Sequence, residues 1–281
     1  MMKRLTPVIE WGTLLLTTGT VCFFLVVILW DLAIKGAPAL SWTFVTALPS
    51  EGMTQGGIFP AIMGTILLTL ITTIVAVPFG ISCAIYLDEY ATDSWVTRLI
   101  RASIRNLSGV PSIIYGLFGL ALFVQALHMG TSLLSAGLTL GLLSLPYVIS
   151  TTEEALRRIP ASTREAALAI GSTQFESIRD LVLPSALPGI MTGIILSLSR
   201  AAGETAPILF TGVAFYINNP TGFLNQEFMA LPYHLYMLST QHHAIEQVRP
   251  LAYGTALVLL IVVFLLNLTV FYIRHKHSNH A

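Results

Sequence analysis

Residues 153–186 open with Glu153-Glu154-Ala155-Leu156-Arg157-Arg158-Ile159-Pro160-Ala161-Ser162-Thr163-Arg164-Glu165-Ala166-Ala167-Leu168-Ala169-Ile170-Gly171. They continue through Ser172-Thr173-Gln174-Phe175-Glu176 to Leu181-Val182-Leu183-Pro184. This stretch is a polar island between two long apolar runs, 132–152 and 187–212. Ser162 and Glu165 have the spacing of a capping box, which predicts a helix start. Gly171 can take the left-handed conformation that ends it. Thr173 and Glu176 repeat the capping pattern, so a second short helix is expected, running out by Leu183-Pro184. The reading is helix, glycine turn, helix: a rigid projection suited to a cleft on a partner.

Outward from the island, six segments reach bilayer length: about 12–30, 60–87, 107–127, 132–152, 187–212 and 251–273. Of 281 residues, 54% are hydrophobic and 10% charged, with mean hydropathy +0.77. A soluble domain carries roughly 25% charged residues, so lipid is the expected solvent. Backbone polar groups cannot stay unpaired in lipid, so these runs must be helices. The alternation a membrane β-barrel needs is missing. The expected fold is therefore an all-α polytopic membrane protein, a single transmembrane domain over 1–281. Pro78, Pro111, Pro146 and Pro207 mark kinks or breaks. Formal net charge is zero, which leaves no electrostatic footprint for nucleic acid. Cys22 and Cys83 lie in apolar runs and read as small buried hydrophobes rather than a disulfide pair.

Basic residues set the orientation. With the N-terminus in the cytoplasm, the inner side holds Lys3, Arg4, Arg98, Arg101, Arg105, Arg157, Arg158, Arg164, Arg179, Arg274 and Lys276. The outer side holds Lys35 and Arg249, and Arg200 sits within a span. That bias puts both termini and the 153–186 loop inside. Lys3-Arg4 and Ala37-Pro38-Ala39 imitate a signal peptide, but the apolar run from Gly12 to Trp30 is longer than a signal core. It reads as an uncleaved first helix. The outer segment 31–59, with Gly52, Gly56 and Gly57, reads as an exposed loop. The outer segment 213–250, with Asn218-Asn219-Pro220 and Gly222, reads as lying along the membrane surface.

Arg200 and Glu204 stand near the middle of the fifth apolar run, four residues apart. A charge there costs about 2.5–3.5 kcal/mol on insertion scales. On a helix the two share a face with Gly193, Ser197 and Thr211. Two readings stay open: a structural ion pair, or the lining of an anion path. A guanidinium offers a fork of donors to an oxyanion, and a neighbouring carboxylate weakens the attraction, as conduction requires. Thr65, Thr69, Thr72 and Ala76 form a milder stripe in the second span, equally compatible with path lining or helix packing. Gly137 and Gly141 suit close packing.

Glu165-Ala166-Ala167, then Gly171, then Leu181-Val182-Leu183-Pro184 resembles the EAA loop of ABC importer permeases, with leucine at 181 where isoleucine is usual. Further segments resemble the PstA branch, permeases of bacterial phosphate-specific importers. They are Gly56-Gly57-Ile58 through Gly64-Thr65, Tyr86-Leu87-Asp88-Glu89-Tyr90, Pro111-Ser112-Ile113-Ile114-Tyr115-Gly116-Leu117-Phe118-Gly119 and Arg200-Ala201-Ala202-Gly203-Glu204-Thr205-Ala206-Pro207. The resemblance implies a type I permease in a bacterial inner membrane. Its loop, with Glu165, Ala166, Ala167, Gly171 and Phe175, docks on an ATPase subunit. The implied partners are a second, homologous permease, two ATPase subunits and an extracytoplasmic phosphate-binding protein. The substrate path falls to Arg200, Glu204, Ser197, Thr65 and Thr69.

The chain has no glycine-lysine pair and so no Walker-type phosphate loop. It is expected to be no enzyme and to carry no cofactor, with ATP and Mg bound by the partner ATPase. His275, His277 and His280 sit in a tail without acidic or cysteine partners, so no metal is expected. The Asn106-Leu107-Ser108 sequon is cytoplasmic in this topology. Rival functions are a permease for sulfate or molybdate, a membrane enzyme, for which no nucleophile or metal set is evident, and a scaffold without flux.

Overall fold

The computed structural model describes the backbone of residues 2–217 and 224–278, with side chains for 11–217, 224–272 and His275. Asn218-Asn219-Pro220, Gly222 and His280 lie outside the described residues. So do the side chains of Lys3, Arg4, Arg274, Lys276 and His277.

The helices are α1 (Met2–Gly36), α2 (Trp42–Thr46), α3 (Phe59–Ile85), α4 (Trp95–Ser108), α5 (Ser112–Gly119) and α6 (Leu133–Arg157). They continue as α7 (Ala161–Ala169), α8 (Gln174–Ser177), α9 (Leu183–Gly203), α10 (Ala206–Thr211), α11 (Leu231–Thr240) and α12 (Ile245–Ser278). Widened turns extend α3 through Tyr86–Tyr90 and α5 through Leu120–Ala126, and join α8 to α9 through Ile178–Val182. Among the described residues five helical stretches are long and apolar enough to span a bilayer: Trp11–Ala39, Phe59–Tyr90, Leu133–Arg157, Gln174–Gly203 and Ile245–Tyr272. A sixth span arises if the bent pair α4 and Ser112–Ala126 counts as one.

The bundle is organised around the contact of α3 with α6. A Cβ on Gly137 would lie 2.4 Å from Ile71 Cγ2, and one on Gly141 2.7 Å from Val75 Cγ1. The expected small-residue packing is therefore present, with hydrogen side chains admitting the facing β-branched residues. Gly141→Ala is expected to overpack this crossing by about 1–3 kcal/mol. A lowered thermal aggregation midpoint of the purified chain, against an unchanged one for exposed Gly12→Ala, checks it.

Pro78 and Pro146 lie inside unbroken helices, whereas Pro111 and Pro207 stand at breaks. The third run, read as one helix over 107–127, is split by a 102° bend between α4 and Ser112–Ala126. Pro111 cannot donate to a helical ladder and pushes Val110 towards extended backbone. The fifth run, read as one helix over 187–212, begins earlier and breaks at Glu204. Pro184 does not end the helix: Val182 and Leu183 keep helical backbone, and α8 runs through the widened turn into α9.

Both outer segments correct the loop readings. In 31–59, Phe44, Met53 and Ile58 are buried, and the short strands Pro49–Ser50 and Gln55–Gly56 form a hairpin. In 213–250, Phe228, Met229, Ala230 and Leu231 are fully buried and α11 packs on α12. Apolar residues spaced irregularly in sequence here form a cap over one end of the bundle. Cys22 is exposed on α1 rather than buried, and Cys83 is half-buried.

Candidate functional site: a coupling projection and a broken fifth span

The projection forms largely as its sequence dictates. α7 runs to Ala169, Gly171 turns the chain with φ +91°, and α8 starts at Gln174. The Thr173–Glu176 capping box is closed: Thr173 N donates to Glu176 Oε2 at 2.8 Å, and Glu176 N donates to Thr173 Oγ1 at 3.3 Å. The Thr173 hydroxyl also donates to Glu176 Oε2, at 2.9 Å, and with the Thr173 N–H holds the Glu176 carboxyl below its ordinary pKa. The Ser162–Glu165 box does not form. Pro160 occupies the N-cap and α7 begins at Ala161, so Ser162 is already inside the first turn. Ala167 is buried, while Leu168, Ile170 and Phe175 are 52%, 83% and 61% exposed. Glu165, Ala166 and Gly171 are exposed beside them. A cluster of bare apolar side chains on a rigid turn is a surface awaiting a partner.

Beneath the projection lies an ion-pair network not foreseen from the sequence. Arg164 forks onto Glu89, with Nη2 2.6 Å from Oε1, and also donates to the carbonyls of Ile159 and Leu156. Glu89 raises the pKa of the Arg164 guanidinium further. Arg157 reaches Asp88 at 3.0 Å, Arg101 reaches Glu153 at 3.1 Å, and Gln174 Nε2 donates to Glu89 O at 2.6 Å. The Glu89 side chain is only 6% exposed, so its charge requires Arg164. The widened turn at the end of α3 is thereby strapped to α6, α7 and α8 beside a cleft of about 750 Å³. The signal in the sequence was Asp88-Glu89, an acidic pair at the end of an apolar run in a chain whose basic residues cluster nearby.

In the fifth span Arg200 lies on the last turn of α9 and Glu204 caps it with extended φ/ψ of −72° and 131°. The two do not share one continuous helix, yet they pair: Arg200 Nε lies 3.2 Å from Glu204 Oε1. The guanidinium also sits over the Tyr147 ring, 4.6 Å from its centroid. The Tyr147 hydroxyl donates to Ser108 O at 2.8 Å. Arg200 is 45% exposed and Glu204 16%. Ser197, one turn below, is buried, and its hydroxyl has no partner among the described residues. Thr211 belongs to α10 and its hydroxyl donates to Pro207 O, so the predicted stripe ends at the break. Irregular backbone at membrane depth persists where it is buried in protein or lines a water-filled cavity.

Thr65, Thr69 and Thr72 are buried within this chain. Their hydroxyls donate to Ala61, Thr65 and Leu68 carbonyls at 2.8–2.9 Å, and Thr65 Oγ1 also accepts from Leu231 N at 2.8 Å. These hydrogen bonds fit helix packing, and the path reading of the stripe stays open beside it. Among the described residues no group of three His, Cys, Asp or Glu side chains is placed to hold a metal ion.

A family model described as the binding-protein-dependent transport system inner membrane component matches residues 76–278. A probable ABC transporter permease protein of Bacillus subtilis, YqgI, is 32% identical over 279 residues, covering 95% of each chain. The phosphate transport system permease protein PstA of Yersinia pestis is 34% identical, covering 91% of this chain and 86% of its own. That of Xylella fastidiosa is 36% identical, with 83% and 80% covered. Among solved structures, a bacterial ABC transporter importing alginate aligns with TM-score 0.65 at 13% identity over 95% of this chain and 96% of that one. An inward-facing methionine ABC transporter, MetNI, aligns with TM-score 0.60 at 19% identity, over 79% and 94%.

Proposed function

Because this chain belongs to the family of binding-protein-dependent transport system inner membrane components, we infer that it is the permease subunit of an ABC importer carrying inorganic phosphate across a bacterial inner membrane. Relatives named phosphate transport permeases, 34–36% identical over most of the chain, support the substrate. The observation on the molecule that carries the reading is Arg200. A half-exposed guanidinium at the break of a span, tempered by Glu204, suits an anion that must bind and leave.

The chain supplies the path and the mechanical link, not the ATP chemistry. A separate ATPase subunit is the partner for Ile170, Phe175 and Leu168. A second permease completes the path on the side that Arg200 faces, and a phosphate-binding protein delivers cargo to the capped end formed by Phe44, Met53 and Leu231. Movement of the ATPase tilts α7, and Arg164 with Glu89 passes that tilt to α3. The fused α8–α9 helix passes it directly to the turn that carries Arg200.

The basic side chains of α4, α6 and α7 gather at one end of the bundle, where Arg101, Arg157 and Arg164 meet Glu153, Asp88 and Glu89. By the charge bias that end is cytoplasmic. Ser162→Cys, in a chain with Cys22→Ser and Cys83→Ser, places a thiol on the exposed first turn of α7. It should resist an impermeant maleimide in intact cells and react in inverted vesicles. Labelling from outside intact cells overturns the orientation. Failure of the chain to co-purify with an ATPase whose hydrolysis rises with phosphate-loaded binding protein overturns the importer reading.

A further inference from the structure

α4 is fourteen residues long and turns 102° from the span that follows it. It therefore runs across the direction of that span rather than along it. Its N-terminus is fixed by Ser94, whose side chain accepts from Thr97 N at 3.2 Å. Its side chains sort into three sectors. Thr97 and Ile104 are buried against the protein. Beside them Arg101 pairs with Glu153 and donates to Leu87 O. At about 100° per residue, Val96, Ile100 and Leu107 fall on one flank of that buried line, within roughly 40° of one another. They are 44%, 42% and 45% exposed. Arg98 and Arg105 fall on the other flank, two turns apart. Arg98 is 69% exposed with only Asp93 nearby, at 4.0 Å, and Arg105 makes no ion pair among the described residues. Trp95, 71% exposed, lies between the two flanks on the side away from the bundle.

These sectors have one consistent setting. With the bundle beside it and the bilayer beneath it, the helix turns its apolar flank down, its basic flank towards water, and Trp95 sideways at the level of the headgroups. That is the anatomy of a helix lying in a membrane interface, and the two exposed arginines complement an anionic surface. We propose that α4 is an in-plane surface helix that seats Val96, Ile100 and Leu107 in the cytoplasmic leaflet and, through Arg98 and Arg105, selects anionic phospholipids around the importer. The proposal rests on the inward orientation inferred above. Arg101 makes the consequence functional, because the same helix holds Leu87 and Glu153 at the base of the coupling projection. Anionic lipid thus steadies the network that transmits the ATPase stroke.

The test uses the whole importer complex in nanodiscs. A nitroxide at Ile100→Cys should be accessible to oxygen and protected from a water-soluble nickel chelate. Protection from both means that the second permease covers this flank, and accessibility to nickel means that water does; either result overturns the proposal. In mixed phosphatidylglycerol and phosphatidylcholine, the complex should retain phosphatidylglycerol selectively on detergent extraction. Each arginine accounts for about a fivefold preference. Arg98→Gln with Arg105→Gln should therefore remove that roughly fivefold preference at both positions, and Arg98→Lys with Arg105→Lys should restore it. Unchanged enrichment in the glutamine variant overturns the proposal. Neither readout involves phosphate, so a failure here is distinct from a failure of the substrate assignment, and thiol labelling at position 162 reports separately which leaflet is involved.

Discussion

Arg200→Gln is expected to abolish phosphate uptake while the complex still assembles. Glutamine keeps a polar, though shorter, side chain but loses the charge and the two-pronged donor set that matches phosphate oxygens. It also loses the cation held over the Tyr147 ring. Glu204, 16% exposed, is left without its partner at 3.2 Å. Removing one member of a fully buried pair costs about 3–5 kcal/mol. Here Arg200 is nearly half exposed, so water carries part of that cost and the bundle should survive. The break in the backbone at Glu204 is set by Pro207 and by the extended conformation there, and does not depend on the arginine. The double variant Arg200→Gln with Glu204→Gln removes both charges and restores any stability lost. A pair with a purely structural task predicts that transport returns with assembly. A path role predicts that assembly returns and transport does not, since the anion has lost its cation. Labelled-phosphate uptake at matched complex levels separates the two.

Gly171→Val is expected to disconnect ATP hydrolysis from transport and leave the membrane bundle intact. Gly171 stands at φ +91°, which an L-residue adopts at a cost of roughly 1–2 kcal/mol, and a β-branched one at more. No atom lies within 4 Å of the Cβ it would acquire, so the effect is conformational rather than steric. The chain relieves the strain by changing the angle between α7 and α8. That moves Ile170 and Phe175, the two most exposed apolar side chains of the turn, relative to each other. A partner cleft shaped to both then loses one. Gly171→Asn, which tolerates left-handed backbone better, should keep much of the coupling. Substrate-stimulated ATP hydrolysis of the purified complex is the measurement. Wild-type stimulation in Gly171→Val contradicts the role given to this turn.

The features legible in the sequence were those with a local physical cause. Apolar runs of bilayer length, Gly171 in a left-handed turn and the Thr173–Glu176 box each depend on a few consecutive residues. The Gly137 and Gly141 packing was legible for the same reason, through their spacing on one helix. What escaped depended on partners distant in the chain. Arg164 and Glu89 are 75 residues apart, and nothing near either states that they meet. Thr65 had path lining and helix packing open to it in the sequence, and nothing near it announces that its hydroxyl accepts from Leu231 N, 166 residues on. The boundaries shifted where a proline was ambiguous. Pro184 reads as a terminator but lies just past a widened turn in an unbroken α8–α9 run, whereas Pro111 reads as a kink and accompanies a 102° turn. The fifth span carried the most misleading pattern. Arg200 and Glu204 have helical spacing, and they do pair, although Glu204 has already left the helix.

Conduction of inorganic phosphate on behalf of an ATPase is read out by uptake of radiolabelled phosphate into proteoliposomes holding the reconstituted importer, with binding protein outside and ATP inside. The expected result is ATP-dependent accumulation that unlabelled phosphate suppresses, that excess sulfate leaves untouched, and that vanishes with Arg200→Gln. Accumulation that sulfate or molybdate suppresses as strongly as phosphate, or that persists in Arg200→Gln with Glu204→Gln, contradicts it.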